Sequence, residues 1–242
     1  MIYSSKENEK IKEIKRLHKP KYRNIHNKFI VETEHLVLEA NKAGLIDYLV
    51  IEEGAYINVD KPKIIVTKQI MKYLSKLESP SKFLAVCNKK EANEELGNKV
   101  LVADAIQDPG NLGTIIRSAL ALNFDSVVVS EDSVDVYNEK VIRATQGAFF
   151  HINISDMVIT EEILELKEDG YKLLGTVVEN GKDIKKVKKL SKYAIIVGNE
   201  GRGVKKEILD ICDDKVFIPT DPDAESLNVG VAASILMYEL NG

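Results

Sequence analysis

Beyond residue 98, short apolar runs alternate along the chain with stretches whose apolar residues recur at helical spacing. The runs predict strands at 99–106, 125–129, 151–154, 171–178, 193–197 and 215–218, and the stretches predict helices at 112–122, 138–145, 161–169 and 204–212. Strands that alternate with helices form a mostly parallel sheet with helices on both faces. The fold class predicted for this region is therefore α/β.

A final helix is predicted after the last of these strands. Residues 218–225 form a loop rich in Pro and Asp, and Ser226, Leu227 and Asn228 lead from it into a helix that ends near Leu240. This helix is apolar or small on nearly every face, which predicts burial all round. The polar Ser226 and Asn228 therefore need partners, either as helix caps or as groups that face a ligand.

The first 90 residues carry a second, smaller set of predicted elements. These are a helix at 6–18, a strand that leads into a helix within 28–40, strands at 48–51, 63–66 and 82–87, and a helix at 69–77. The charged stretch 88–99 has neither pattern and is the predicted domain boundary. We expect a small α/β domain at 1–90, a linker at 91–99 and a larger domain at 100–242.

Charge is distributed unevenly along the chain. The formal net charge is −4, yet residues 1–30 carry nine Lys and Arg against three Glu. A basic arm on an acidic protein suggests contact with phosphates, and a solvated amphipathic helix is the equally weighted alternative. No apolar run approaches the roughly 20 residues of a membrane span, and no secretory signal is recognisable, so a cytoplasmic protein is expected. Cys87 and Cys212 lack the close spacing of a metal or redox pair, and both are expected to be reduced and buried.

The first of three polar turns joins a strand to a helix within residues 107–117. In a purely structural interpretation, Asp-Pro-Gly forms a turn and Asn111 caps the helix. Gly113, inside the first helical turns, costs about 1 kcal/mol relative to Ala, and Arg117 follows four residues later on the same face. We interpret the pair as a point of close approach beside a planar guanidinium group suited to phosphate.

The second polar turn contains three glycines, Gly198, Gly201 and Gly203, between a buried strand and a helix. Such turns usually bring backbone N–H groups close to a nucleotide-type ligand, and purely structural glycines are the alternative. The glycine order differs from that of the dinucleotide motif, and Glu200 would repel a pyrophosphate. The turn therefore favours a ligand without phosphates.

Residues 218–228 form the third polar turn, and the usual hydrolytic motifs are absent. The sequence has no Gly-x-Ser-x-Gly, no Walker lysine motif and no clustered His or Cys, and His151 is expected to be structural. In open parallel sheets, ligands bind beyond the carboxyl ends of the strands, where all three turns lie. We therefore expect the turns to converge on one site.

Together the three turns resemble the three motifs of the SpoU/TrmH class of SPOUT methyltransferases. The matching residues are Asn111, Gly113 and Arg117 in the first motif, Gly198, Asn199, Glu200 and Gly201 in the second, and Ile218, Pro219, Ser226, Leu227 and Asn228 in the third. The resemblance covers about residues 100–240, and residues 138–151 resemble the family's segment between the first two motifs.

This resemblance implies transfer of a methyl group from S-adenosylmethionine to a ribose 2′-hydroxyl of structured RNA, above all 23S-type ribosomal RNA and next tRNA. It also implies a deep trefoil knot and a homodimer with the site near its interface, without a metal or a membrane. The residues implied to hold the cofactor are Thr176, Gly198, Asn199, Gly201, Ile218, Leu227 and Asn228. Those implied to act in catalysis are Asn111, Arg117, Glu200, Ser226 and Asn228.

Residues 1–90 resemble the substrate-binding domain of two-domain members, which is similar to certain ribosomal proteins. Thr33 stands where many members have Gly after a Val-Glu pair, and Ser81-Lys82 replaces a common Gln-Gly. These departures concern the identity of the substrate more than the fold. RNA contacts are expected from Arg16, Lys21, Arg23, Arg117 and Arg143.

In this family the arginine at position 117 is often proposed as the general base. Because an arginine guanidinium stays protonated in proteins, we interpret Arg117 as a phosphate or ribose clamp that also favours the developing alkoxide. Two other functions stay open: a catalytically silent RNA-binding protein with the same fold, and an NAD-dependent enzyme, supported by the glycine-rich turn and by Asp221 after the next strand.

Overall fold

The computed structural model describes residues 2–91, 93–157, 159–221, 223 and 225–241, apart from the side chains of 156, 157 and 159–161. The chain divides into two compact units. The N-terminal unit runs to Glu91 and includes Tyr137–Phe150, and the C-terminal unit comprises the other residues. The division drawn from the sequence assigns Tyr137–Phe150 to the C-terminal domain, whereas in the structure its Phe149 packs edge-to-face on Phe29 of the N-terminal unit.

The part of the chain before residue 91 forms short strands and helices. In chain order they are β1 (Ile2–Tyr3), α1 (Glu9–Arg16), α2 (Pro20–His26), β2 (Lys28–Glu32), α3 (Glu34–Lys42), β3 (Ile46–Glu52), β4 (Lys63–Val66), α4 (Lys68–Leu74) and β5 (Phe83–Asn88). The sequence pattern predicts all of these except the two-residue β1 and α2. Helix α2 begins at Pro20, a residue that is favoured at the first position of a helix.

The rest of the chain alternates as the sequence predicts. Its elements are β6 (Lys99–Ala103), α5 (Pro109–Ala121), β7 (Ser126–Ser130), α6 (Glu139–Ala144), β8 (Asn153–Met157), α7 (Ile159–Glu168), β9 (Lys172–Thr176), β10 (Lys182–Asp183), β11 (Tyr193–Val197), α8 (Lys206–Ile211), β12 (Asp214–Phe217) and α9 (Val229–Leu240). One-turn 3-10 helices lie at Ala148–Phe150 and Ile184–Lys186. The two-residue β10 is the strand that the pattern misses.

Each unit has its own sheet. The C-terminal sheet has seven strands in the order β10-β12-β9-β11-β6-β7-β8, and every pairing in it is parallel. Its central strand β11 is buried along its whole length, as expected for a parallel sheet with helices on both faces. The N-terminal sheet is mixed, in the order β1-β4-β3-β5-β2, with β5 antiparallel to both neighbours. The α/β fold class is confirmed.

Helix α5 begins earlier than predicted, and this changes the role of Asn111. Asp108, not Asn111, caps the helix, because its carboxylate accepts a hydrogen bond from the Asn111 backbone N–H at 2.9 Å and Pro109 occupies the first helical position. The purely structural interpretation, in which Asn111 is the cap, is therefore wrong. Asn111 lies in the first turn of the helix, which leaves its side chain available for other partners.

Thr33 has an unusual backbone conformation at the end of β2. Its φ is +86° and its ψ is 145°, a region that favours glycine and is costly for a β-branched residue. Its hydroxyl accepts a hydrogen bond from the Leu36 backbone N–H at 3.4 Å and so caps α3. The departure from Gly noted in the sequence thus falls on a position whose backbone suits Gly.

Candidate active site

The C-terminal ends of three neighbouring strands open onto one cavity. Thr176 ends β9, Val197 ends β11 and Phe217 ends β12, and all three residues line a cavity of about 640 Å³. Because parallel strands end at the same edge of a sheet, the turns that follow them meet there. The size of the cavity is within the range of small-molecule sites.

All of the residues expected to hold a cofactor lie along this cavity. They are Thr176, Gly198, Asn199, Gly201, Ile218, Leu227 and Asn228. Of the residues expected to act in catalysis, Glu200, Ser226 and Asn228 also line it, whereas Asn111 and Arg117 do not. The cavity therefore brings the second and third turns together, and Asn111 joins them through hydrogen bonds.

The glycine-rich turn folds back tightly on Gly198. A Cβ atom added at Gly198 would lie 2.1 Å from the Val204 backbone nitrogen, so no other residue fits there without a shift of the backbone. Within the turn, Asn199 Oδ1 accepts hydrogen bonds from the backbone N–H groups of Gly201 and Arg202 at 3.0 and 3.2 Å. The side chain of Asn199 thus shapes the turn while its residue lines the cavity.

A chain of side-chain hydrogen bonds connects the three turns. Asn111 Nδ2 donates to Glu200 Oε1 at 3.0 Å, and Asn228 Nδ2 donates to Asn111 Oδ1 at 2.8 Å. Asn228 also caps α9, since its Oδ1 accepts from the backbone N–H groups of Gly230 and Val231. Asn111 is therefore the link between the second and third turns, a role that its position in the sequence does not reveal.

The Glu200 carboxylate is held by several donors. Besides Asn111, it accepts from the backbone N–H groups of Gln107 at 3.3 Å and Asp108 at 3.2 Å. Partial burial alone would raise the pKa of Glu200, but the hydrogen bonds from Asn111 and from backbone amides together lower it below its ordinary value. Glu200 therefore stays an ionised acceptor that fixes the first turn against the second.

Two of the expected catalytic side chains have no partner among the described residues. Arg117 is exposed on α5, and its guanidinium group makes no hydrogen bond or ion pair there. Ser226 is likewise exposed at the rim of the cavity, and its hydroxyl makes no hydrogen bond to the described chain. Both groups are free to contact a ligand.

A buried carboxylate that the sequence did not single out anchors the far end of the glycine-rich turn. Asp104, fully buried after β6, accepts a hydrogen bond from the Lys205 backbone N–H at 3.1 Å and lies 3.5 Å from the Lys205 ammonium group. The neighbouring Ala105 carbonyl accepts from Asn199 Nδ2 at 2.9 Å. A lone Asp after an apolar strand gives little signal, because the contact depends on the strand order.

The residues expected to contact RNA from the N-terminal unit have different surroundings. Arg16 and Lys21 are exposed, and Arg143 is half-buried with its Nη1 atom buried and without a hydrogen-bond partner among the described residues. Arg23 is only 2% exposed, and its guanidinium group donates to the Leu17 carbonyl oxygen at 3.1 Å. The expectation that Arg23 contacts RNA is therefore wrong, because its side chain stabilises the interior of the unit.

Metal, redox and membrane features are limited in the described part of the chain. No group of three or more His, Cys, Asp or Glu side chains that could hold a metal occurs among the described residues. Cys87 is buried as expected, but Cys212 is only half-buried, and burial raises the pKa of its thiol to about 11.

Among the described helices, none is both long and apolar enough to span a membrane.

One of the two sequence features that supported an NAD site, Asp221, lies away from the cavity lining. Its Oδ1 atom accepts a hydrogen bond from the Asp223 backbone N–H at 2.9 Å. The carboxylate is therefore engaged in a local turn. The glycine-rich turn alone is left as support, and its glycine order differs from that of dinucleotide sites.

Comparisons with known proteins identify relatives of both parts of the chain. Residues 98–238 match the SpoU rRNA Methylase family, and residues 8–85 match the MRM3-like substrate binding domain. The chain is 38% identical over 243 residues, 98% of each protein, to the 23S rRNA (guanosine(2553)-2′-O)-methyltransferase RlmP of Bacillus subtilis. The two matched regions leave residues 86–97 between them.

Solved structures share the fold over almost the whole chain. The AdoMet-bound rRNA methyltransferase from Sinorhizobium meliloti superimposes with a TM-score of 0.89 at 23% identity, over 99% of this chain and 97% of the other. The SpoU methyltransferase AviRb from Streptomyces viridochromogenes, in complex with AdoMet, gives a TM-score of 0.88 at 23% identity over 97% of each chain. The family match covers more than half of the chain and contains all three polar turns, so this protein belongs to the SpoU rRNA methylase family.

Proposed function

We propose that this protein transfers a methyl group from S-adenosylmethionine to a ribose 2′-hydroxyl of RNA, with 23S-type ribosomal RNA as the substrate and tRNA as the second choice. The observation that carries the proposal is the chain of hydrogen bonds from Asn228 through Asn111 to Glu200. It joins the three motif turns at the wall of one cavity. A cytoplasmic location is part of the proposal, because the similar enzyme RlmP comes from Bacillus subtilis, a bacterium whose ribosomes lie in the cytoplasm.

The lining of the cavity fits this cofactor. Apolar side chains such as Val197, Val216 and Leu236 can cover an adenosine group, and the carboxylates of Glu200 and Glu225 favour a cation over a pyrophosphate. When bound, S-adenosylmethionine supplies an electrophilic methyl group on a positively charged sulfur. The turns at Gly198, Ile218 and Leu227 would hold it, largely through backbone groups.

The side chains around the cavity have separate roles in the proposed reaction. Asn111, Glu200 and Asn228 keep the three turns in register, so that the ribose hydroxyl meets the methyl group in a reactive orientation; such alignment lowers the barrier strongly. Arg117, which is exposed and unpartnered in the described chain, clamps a phosphate or the ribose and favours the developing alkoxide. The hydroxyl proton passes to solvent or to a neighbouring group, because a guanidinium group cannot accept it. Ser226 at the rim is free to order the ribose.

The N-terminal unit contributes RNA contacts. Its match to a substrate binding domain supports this role, as do the exposed side chains of Arg16 and Lys21. Arg143 adds a half-buried guanidinium group whose Nη1 atom has no hydrogen-bond partner among the described residues. Because Nη1 is shielded from solvent, an RNA contact of Arg143 falls to the rest of its half-buried side chain.

A homodimer is part of the proposal. Val231 and Tyr238 on α9 are 47% and 69% exposed, and with Ile235 between them they form an apolar stripe at helical spacing. Exposed apolar stripes of this kind mark association surfaces, and a two-fold dimer lets the stripe pack on its own copy. A trefoil knot in the C-terminal unit stays a prediction of the family resemblance.

Calorimetry with S-adenosylmethionine, combined with mapping of ribose methylation in RNA from a deletion strain, tests the function. We expect micromolar binding and the loss of one 2′-O-methyl mark from 23S rRNA, with the mark restored by the wild-type gene. Complementation by an Arg117→Ala variant serves as the control and should leave the mark absent. Absence of S-adenosylmethionine binding, with every mark intact in the deletion strain, would instead favour a catalytically silent RNA-binding protein.

A further inference from the structure

Five lysines lie close together on a part of the C-terminal unit that the three motifs do not use. Residues 182–189, which we term the lysine segment, contain Lys182, Lys185, Lys186, Lys188 and Lys189 against one acidic residue, Asp183. All five lysines are exposed. Five lysines less one aspartate leave a local surplus of four positive charges on a chain whose net charge is −4.

These positive charges are not neutralised by the described part of the chain. None of the five ammonium groups forms an ion pair or hydrogen bond with a described residue. Asp183 does not pair with them, because its Oδ1 accepts from the Lys185 backbone N–H at 3.0 Å and caps the one-turn helix. Lys167 and Lys215 in the same unit show the contrast, since each has an aspartate within 4 Å.

The basic residues of the N-terminal arm are more fully engaged. Lys12 lies 2.9 Å from Glu7 and 3.3 Å from Glu9, and Lys10 lies 3.4 Å from Glu13. In addition, Lys15 donates to a backbone carbonyl, and Arg23 is buried. The lysine segment therefore offers more unpaired charge for its length than the arm that the sequence singled out.

The segment is fixed to the wall of the cavity rather than attached as a free tail. Strand β10 pairs in parallel with β12, with Asp183 opposite Phe217, the residue before the cavity-lining Ile218. Ile184 is 3% exposed, and its one-turn helix packs against α9. Gly181 permits the close pairing, because a Cβ atom there would lie 2.9 Å from the Lys215 carbonyl oxygen.

We propose that the lysine segment binds the phosphate backbone of the RNA next to the methylated ribose. This inference rests on the proposed methyltransferase function, which brings an RNA strand to the cavity. Unpaired ammonium groups attract phosphates as point charges, and such contacts position RNA without reading its bases. The segment has no aromatic residue on which a base could stack, so its contribution is independent of the RNA sequence.

The test compares two variants with the same loss of charge. Lys188→Gln/Lys189→Gln removes unpaired charges from the segment, at positions beyond the one-turn helix that packs on α9. Lys167→Gln/Lys215→Gln is the matched control, because it removes two lysines that are ion-paired in the same unit. The affinity of each protein for a full-length 23S rRNA transcript and for an unrelated transcript of equal length is measured over a series of salt concentrations.

For the segment variant we expect a severalfold increase in Kd on both transcripts. The slope of log Kd against log salt should fall by about 1 for each lysine that contacts a phosphate. The control should retain the wild-type slope, and the affinity of both variants for S-adenosylmethionine should be unchanged. An equal effect on the two transcripts identifies a backbone contact.

An unchanged Kd and salt slope in the segment variant, with wild type that binds and methylates the RNA, overturns this inference and leaves the methyltransferase function intact. The same conclusion holds if the segment variant binds both transcripts as the wild type does and, in a parallel assay, has lost affinity only for anionic vesicles or for an acidic protein. A wild-type protein that binds neither S-adenosylmethionine nor RNA overturns the proposed function together with the inference.

Discussion

Two glutamates, one in each unit, have carboxylates that accept hydrogen bonds from a distant turn, and their surroundings differ. Glu32 in the N-terminal unit is 3% exposed and accepts from the Ser75 hydroxyl at 2.5 Å and the Lys76 backbone N–H at 3.0 Å. Glu200 in the C-terminal unit binds the first motif turn at the wall of the cavity. Both carboxylates join turns, and Glu200 does so at the wall of the cavity whereas Glu32 does so in the interior of its unit. The comparison suggests that Glu32 serves stability and Glu200 serves function.

Replacing Glu200 with glutamine is expected to have the largest effect. In Glu200→Gln, an NH2 group replaces one carboxylate oxygen and meets an N–H group of Asn111, Gln107 or Asp108. Two donors cannot form a hydrogen bond with each other, so the first turn would lose its alignment with the second. A displacement of about 1 Å at a reacting group costs about 100-fold in rate. Single-turnover methylation should therefore fall about 100-fold, while the melting temperature changes little.

Glu207→Gln is the matched control for this change. Glu207 is an exposed residue in the first turn of α8 and does not line the cavity, so its replacement removes the same charge without touching the turns. Its methylation rate should stay within twofold of wild type. A Glu200→Gln variant as active as the Glu207 control would contradict the assignment of Glu200 to function.

Glu32→Gln should show the opposite pattern, with a loss of stability and little loss of catalysis. The glutamine lacks the charge that strengthens both hydrogen bonds of this buried carboxylate, and weaker bonds of this kind cost about 1–2 kcal/mol. For a chain of this size that lowers the melting temperature by about 2–4 °C per kcal/mol. The rate at saturating RNA, measured well below the melting temperature, should be unchanged; a large fall in that rate would remove the distinction between the two glutamates.

The different roles of these glutamates could not be predicted from the sequence. The hydrophobic pattern locates the strands and helices, because an element with one buried face has apolar residues that recur every 2 positions in a strand and every 3.6 in a helix. The contact of Glu200 with Asn111 depends on which strands are neighbours, and residues 89 positions apart carry no local signal of it. The three motifs indicate a common site, yet the alternative role of Asn111 as a cap is wrong because the helix starts at Pro109, three residues before the predicted start at 112.

Charge shows the same limit of sequence reasoning. Counting lysines and arginines draws attention to residues 1–30, but ion pairs with Glu7, Glu9 and Glu13 and the burial of Arg23 reduce the free charge there. The lysine segment has fewer basic residues than residues 1–30, but more of them lack an ion pair or a hydrogen bond with the described residues. Whether a charge is free depends on its neighbours in the fold, whereas its sign can be read from the sequence.

The smallest expected effect concerns the residue that follows Glu32. Thr33 keeps a φ of +86°, and a β-branched residue in this region costs about 1–3 kcal/mol. Glycine removes that strain. Against this gain, it loses a weak cap worth a few tenths of a kcal/mol, and its greater freedom in the unfolded chain favours unfolding. Thr33→Gly should therefore stabilise the protein by about 1 kcal/mol, which thermal unfolding would show as a melting temperature higher by about 2–4 °C.

Thr67→Gly provides the matched control for Thr33→Gly. Thr67 caps α4 with the same hydrogen-bond length, 3.4 Å to the Ile70 backbone N–H, but its φ is an ordinary −68°. Without strain to relieve, its replacement should destabilise the protein by about 1 kcal/mol. Opposite signs for the two threonines would assign the gain at position 33 to the backbone. If Thr33→Gly also destabilises the protein, the strain argued from its φ of +86° is not relieved by glycine, and the backbone explanation is wrong. If Thr33→Gly instead lowers the methylation rate at unchanged stability, the turn after β2 contributes to catalysis.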